Sequence, residues 1–310
     1  MTSLINRNSE GVFIIAATPF DDTGAIDYDS TDRMVDFYLE TGVSGMTILG
    51  IMGEAPKMAG DEAQSFASHV IKRVNGRVPV VVGVSAAGLD NMARLSATAM
   101  DAGAGGVMVA PQPGMATETK LKGYMAQVCA ALKDTPICFQ DYPQTTGVQV
   151  SVETILSLAV DHPQIVMLKH EDWPGLTKLS RVRAETDTAD VPRLSILTGN
   201  SALFLAQEMQ RGADGAMTGF AYPEMLVQVV ARHKAGDVDG AEDLFDAYLP
   251  MVRYEQQLGL GLAIRKEVLR RRGVIASNKV RAPGPALTAR DHEELTRLMA
   301  RLEKRLGELN

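Results

Sequence analysis

Short apolar runs recur along the chain, each followed by a stretch with helical periodicity. The runs lie at Val12–Thr18, Gly45–Leu49, Val78–Val84, Gly106–Ala110, Ile137–Asp141, Ile165–His170, Leu194–Thr198 and Gly215–Thr218. Between them, apolar residues return at three- and four-residue intervals over Asp29–Thr41, Asp61–Val74, Asp90–Ala102, Glu118–Leu132, Val152–Val160, Gly175–Thr186 and Ala202–Arg211. That spacing gives a helix one buried stripe. Gly42, Gly103 and Gly212 mark junctions, as residues that end helices in a left-handed conformation do. Near-continuous apolar strands alternating with helices imply a parallel sheet covered by helices. Eight such units predict an α/β fold, a closed (β/α)8 TIM barrel; an open doubly wound sheet is the competing arrangement.

After Thr218 the pattern changes. From Pro223 onward there is only helical periodicity, broken near Gly236, Gly259 and Arg281-Ala-Pro-Gly-Pro285, with a charged last helix near Ala289–Leu306. The expected organisation is a catalytic barrel over 1–222 and a C-terminal helical extension over 223–310 that buries its stripes on the barrel.

Composition narrows the function classes. The chain has 310 residues, 45% hydrophobic, with a net charge of −7, which suits a large core and argues against nucleic-acid or anionic-membrane partners. Cys129 and Cys138 make no disulfide framework, the N-terminal segment is too polar for a signal peptide, and no apolar stretch approaches a bilayer span. These features lead us to expect a cytoplasmic protein. His69, His162, His170, His233 and His292 are scattered, so neither a metal centre nor another cofactor is expected. Gly83–Gly88 and Gly103–Gly106 lack the context of phosphate- or dinucleotide-binding loops.

In a barrel of this kind the active site lies at the carboxyl ends of the strands. Those ends carry Gly50-Ile51-Met52-Gly53-Glu54, Gln140-Asp141, Lys169-His170-Glu171, Gly199-Asn200 and Met217-Thr218. A strand has a side-chain period of two, so Lys169 and Glu171 share a face and His170 points outward as a structural residue. Burial disfavours a charged lysine, and a neutral amine attacks a ketone while a neighbouring carboxyl moves protons. A strand-end salt bridge at the surface is the other reading of the pair. The Gly50–Glu54 turn is either a backbone anion cradle or a plain tight turn.

At these residues the chain resembles the dihydrodipicolinate synthase / N-acetylneuraminate lyase family over roughly residues 12–222. Thr18-Pro19-Phe20 looks like the family's opening motif, Gly50–Glu54 its carboxylate-binding turn, and Phe139–Gly147 its Tyr-Asn-x-Pro-x-Arg-Thr-Gly segment. Lys169 matches the Schiff-base lysine, and Gly212–Thr218 the last barrel strand. The departures are specific. Ile51 and Met52 replace hydroxyl residues of the turn, Gln140 falls on the catalytic tyrosine, and Thr145 falls on the arginine that grips a second carboxylate. Met-Gly-Glu-Ala-Pro and Lys-His-Glu-Asp look like the sugar-acid dehydratase branch, especially L-2-keto-3-deoxyarabonate dehydratase-like members.

The resemblance implies a Schiff-base lyase (hydro-lyase) that dehydrates a 2-keto-3-deoxy sugar acid, such as L-2-keto-3-deoxyarabonate to 2-oxoglutarate semialdehyde. Lys169 and Glu171 are its expected catalytic residues; Ile51, Met52, Gly53, Gln140, Asp141, Gly199, Asn200 and Met217 are its expected substrate-binding residues. The expected partner is a small 2-keto acid, within a homo-oligomer that the family resemblance suggests is a tetramer. Three alternatives stay open: a class I aldolase releasing pyruvate, a deaminase of a hydroxylated pyrroline carboxylate, and a non-catalytic keto-acid-binding member.

Overall fold

The computed structural model describes residues 3–186 and 188–309. Eight strands form a closed barrel in sequential order, every neighbouring pair parallel. They are β1 (Gly11–Ile15), β2 (Gly45–Ile48), β3 (Val80–Gly83), β4 (Gly106–Val109), β5 (Ile137–Asp141), β6 (Ile165–His170), β7 (Ser195–Thr198) and β8 (Gly215–Ala216). The fold is therefore a (β/α)8 TIM barrel, and the doubly wound alternative is excluded by the β1–β8 pairing. Regular pairing in β8 stops before the expected Thr218. The ladder bonds nevertheless continue: the Met217 N–H donates to the Thr198 carbonyl at 2.8 Å, and the Ile15 N–H donates to the Thr218 carbonyl at 2.9 Å.

Alternation along each strand builds two cores. Phe13, Ile15, Val81, Met108, Cys138, Met167, Leu197 and Met217 point inward and plug the barrel. Their outward neighbours, among them Ile14, Val82, Phe139, Leu168 and Ile196, pack under the helices. Burying one such side chain contributes about 1.5–3 kcal/mol, so each strand is pinned to its register by the face it buries. The surrounding helices are α1 (Tyr28–Glu40), α2 (Gly60–Val74), α3 (Leu89–Asp101), α4 (Glu118–Leu132), a one-turn α5 (Pro143–Thr146), α6 (Val152–Asp161), α7 (Leu176–Glu185) and α8 (Leu205–Gln210). Asp27, Thr117 and Ser151 cap α1, α4 and α6 by accepting backbone N–H bonds with their side chains.

α8 begins three residues later than the periodicity predicts. Asn200, Ser201 and Ala202 all adopt left-handed backbone, with φ of 51°, 52° and 65°, and hold a tight turn between β7 and the helix. Beyond β8 come α9 (Pro223–Lys234), α10 (Val238–Glu255), α11 (Gly261–Arg271) and α12 (Ala289–Leu309). α9 packs on β1 and β8 and takes the eighth place in the helical layer, so we place the start of the extension after Lys234. α10 packs on α9, and α11 and α12 pack on α10, where Leu295 and Leu302 of α12 are buried.

Candidate active site

A cavity of about 390 Å³ opens at the carboxyl ends of the strands. It is lined by Lys169, carried by β6 opposite Gln140 of β5 and Leu197 of β7. Met167 lies one inward position below it, so along β6 the lysine is the first inward polar residue above the apolar plug. Two positions further on, Glu171 returns to the same face. Its Oε2 lies 3.2 Å from Lys169 Nζ and accepts a 2.6 Å hydrogen bond from Gln140 Nε2. Both members of the ion pair are buried, at 5% and 6% exposure. The surface salt-bridge reading of the pair is thereby excluded.

Glu171 is held from behind. Its backbone N–H donates to the Asp141 carbonyl at 2.9 Å, and its own carbonyl accepts from Asn200 Nδ2 at 3.2 Å. The carboxylate rests over Gly199, where an added Cβ would come within 2.2 Å of Glu171 Cγ and Oε1. Only glycine leaves room at this position.

The mouth is formed by the turn after β2. Ile51 and Met52 line the cavity, and Gly53 lies beneath them. The Gly53 N–H is already committed to the Gly50 carbonyl at 3.0 Å, and its carbonyl accepts the Thr18 hydroxyl at 2.6 Å. Gly53 thus shapes the turn. The N–H groups of Ile51 and Met52, at the start of a helical turn, are the ones with no acceptor inside it.

Lys169, Glu171, Ile51, Met52, Gln140 and Asn200 all reach the cavity as the sequence suggests. Asp141 does not. It lies on the outer face of β5, with Oδ2 2.6 Å from Lys178 Nζ and 3.8 Å from His170 Nδ1, because the strand period sends it away from Gln140. Its assignment to substrate binding is corrected to a structural one. Gly199 acts through Glu171, and Met217 sits within the inner plug, its Sδ 3.7 Å from Cys138 Sγ. Both therefore act beneath the cavity surface.

Several further residues line the cavity; Tyr142 and Thr145 belong to the Phe139–Gly147 segment singled out in the sequence, and the others carry no signal at the strand ends. Tyr142 and Thr145 face the cavity from the segment after β5, Ser201 from the left-handed turn, and Arg265 and Glu255 from the extension. Burial, reinforced by the charge of Glu171, pushes the Tyr142 phenol above its ordinary range, so it enters the site as a protonated donor.

A family model for the dihydrodipicolinate synthetase family matches residues 8–304. The chain belongs to that family. It is accordingly a lyase of the Schiff-base class. Among relatives, it is 31% identical over 308 residues to an L-2-keto-3-deoxyarabonate dehydratase of Azospirillum brasilense, covering 98% of this chain and 97% of the relative. A crystal structure of a dihydrodipicolinate synthase from Rhodopseudomonas palustris superposes with a TM-score of 0.95 at 48% identity, covering 97% of this chain and 100% of that one. A prophage family member from E. coli K12, solved in complex with pyruvate, gives a TM-score of 0.85 at 25% identity, covering 95% and 98%. In the present chain, no helix among the described residues is long and apolar enough to cross a membrane.

Proposed function

We propose that the chain dehydrates a 2-keto-3-deoxy sugar acid, with Lys169 as the imine-forming amine and Glu171 as the acid/base. The supporting observation is the Lys169–Glu171–Gln140 cluster, in which an amide occupies the place where the family carries a phenol. An amide donates hydrogen bonds but does not take up protons near neutral pH, which leaves Glu171 as the proton carrier beside the amine.

Lys169 passes a proton to Glu171, its amine attacks the C2 ketone, and loss of water with that proton returned gives a protonated imine. Glu171 removes a C3 proton, forming an enamine, and the C4 hydroxyl leaves as water with a proton returned by Glu171. Loss of a C5 proton and protonation at C3 convert the unsaturated imine to a C4–C5 enol, whose hydroxyl proton moves to C4 to leave the C5 aldehyde. Hydrolysis consumes one water and frees Lys169, so the net change is loss of one water. The N–H groups of Ile51 and Met52 hold the C1 carboxylate. The A. brasilense relative's name supports this reading, as does Thr145 at the position where a second-carboxylate arginine would sit. Family membership also supports a homo-oligomeric, cytoplasmic enzyme that takes a small 2-keto acid.

Lys169→Ala should abolish borohydride trapping of a keto acid together with turnover. Glu171→Gln should still trap it, while turnover falls by about 10²–10⁴-fold. Trapping retained by Lys169→Ala refutes the imine assignment. Release of pyruvate in a lactate-dehydrogenase-coupled assay, in place of a semialdehyde, points instead to aldol cleavage.

A further inference from the structure

Arg265 is 1% exposed and is the largest fully buried side chain in the molecule. It reaches the cavity from α11, outside the barrel's strand ends. Its Nε donates to Glu255 Oε1 at 2.5 Å, and its Nη2 donates to the Gly219 carbonyl at 2.7 Å, with Ser201 Oγ at 3.5 Å. Nη1 has no partner among the described residues, which leaves two guanidinium N–H donors unsatisfied in a desolvated place. Nη1 occupies the space a side chain at 219 would fill. A Cβ on Gly219 would approach it to 1.9 Å, and Gly219 is itself cavity wall. Asn200, next to Ser201 in sequence, lines the same cavity; its Nδ2 donates to the Glu171 carbonyl, and its Oδ1 is a buried acceptor without a partner among the described residues. An unpaired donor group and an unpaired acceptor are thus carried by two residues that line the same cavity.

We propose that Arg265, with Ser201 and Asn200, forms the subsite for the far end of the substrate, and that it selects a neutral, hydroxyl-bearing tail over a second carboxylate. A hydroxyl both donates and accepts, and so satisfies Arg265 Nη1 and Asn200 Oδ1 together. A carboxylate only accepts. Glu255 already neutralises the guanidinium at hydrogen-bond distance, and Glu171 adds a second negative group to the cavity. A tail carboxylate would therefore meet two like charges with no free counter-charge. Arg265 is a specificity residue, distant in sequence from Lys169, and it takes no part in proton transfer. The inference rests on the sugar-acid reading of the site and names the part of the substrate that reading leaves open.

Three keto acids test it: pyruvate, which has no tail; 2-keto-3-deoxy-L-arabonate, whose tail carries hydroxyls; and 2-oxoglutarate, whose tail is a carboxylate. The concentration giving half-maximal borohydride trapping is measured for each in a single turnover. The native protein should favour the hydroxylated acid over 2-oxoglutarate. Arg265→Gln should raise the half-saturating concentration of the hydroxylated acid by about 10–100-fold while leaving pyruvate within about twofold. Ser201→Ala, at the cavity wall, keeps the test alive if the buried arginine variant does not fold, and should show a smaller loss of the same selectivity. Equal losses for pyruvate and the hydroxylated acid, or no loss for either, overturn the proposal, as does a native preference for 2-oxoglutarate. Failure of the native protein to trap any of the three defeats the imine reading and this subsite with it. Trapping with the expected selectivity but without dehydration defeats only the reaction assigned above.

Discussion

Glu171 owes its position to a residue with no side chain. The carboxylate lies in the space over Gly199, so a methyl group there must push it away from Lys169 and Gln140. Gly199→Ala should therefore preserve imine trapping, which needs only the amine, and cut turnover by about 10²-fold, the scale of a misplaced catalytic group. Rapid-quench turnover against trapping yield separates the two; parallel loss of both would place the fault in the lysine instead. The chemistry at this scale is legible in the sequence because a period of two decides it. Lys169 and Glu171 share a face, and Asp141 and His170 take the other. Arg265 was not legible as a cavity residue. The sequence shows only that it shares a helical stripe with Gly261, Leu262, Val268 and Leu269, which marks it for burial without saying what it faces.

Among the elements, α11 is the one that ties the extension to the mouth. Lys266, next to Arg265, donates to Glu54 Oε1 at 2.6 Å and to the Lys279 carbonyl at 2.7 Å, with its ammonium 4.6 Å from the Phe20 ring centroid. Glu54 also accepts from Lys57 and from the Arg281 backbone N–H. Glu54→Ala leaves the Lys266 charge buried without its partner and should cost about 3–5 kcal/mol in denaturant unfolding. The double variant Glu54→Ala/Lys266→Met should recover a substantial part of that loss. A double variant as unstable as the single would show that the cost lies in packing. Strands and barrel helices were readable from apolar spacing, but this tie was not, since it joins residues 212 positions apart. The late start of α8 was equally hidden, because none of Asn200, Ser201 and Ala202 is a glycine that would announce left-handed backbone.

Over the whole molecule, the alkaline side of the stability profile follows from groups the barrel buries. Burial pushes the thiols of Cys129 and Cys138 up from 9.0 to about 11 and about 12. Their contribution is complete below about pH 9 and is lost as pH rises toward those values, since the unfolded chain ionises first. Lys266, which burial pushes down to about 8, works in the opposite sense between there and its ordinary 10.5, because the folded chain gives up its proton first. Two falling contributions outweigh one rising, so urea midpoints should drop above pH 9. Cys138→Ala should flatten that fall by up to about 1.4 kcal/mol per pH unit. Identical slopes in the two proteins would contradict the thiol's part in it.

Neighbouring residues of one helix face different tasks: Arg265 meets the substrate chamber, and Lys266 fastens the rim. On the subsite proposed for Arg265, chemistry and selectivity reside in separate stretches of polypeptide. A lineage can keep its reactive amine untouched while retuning diet through a helix that performs no reaction, and grafting that helix between relatives becomes a route to new substrates.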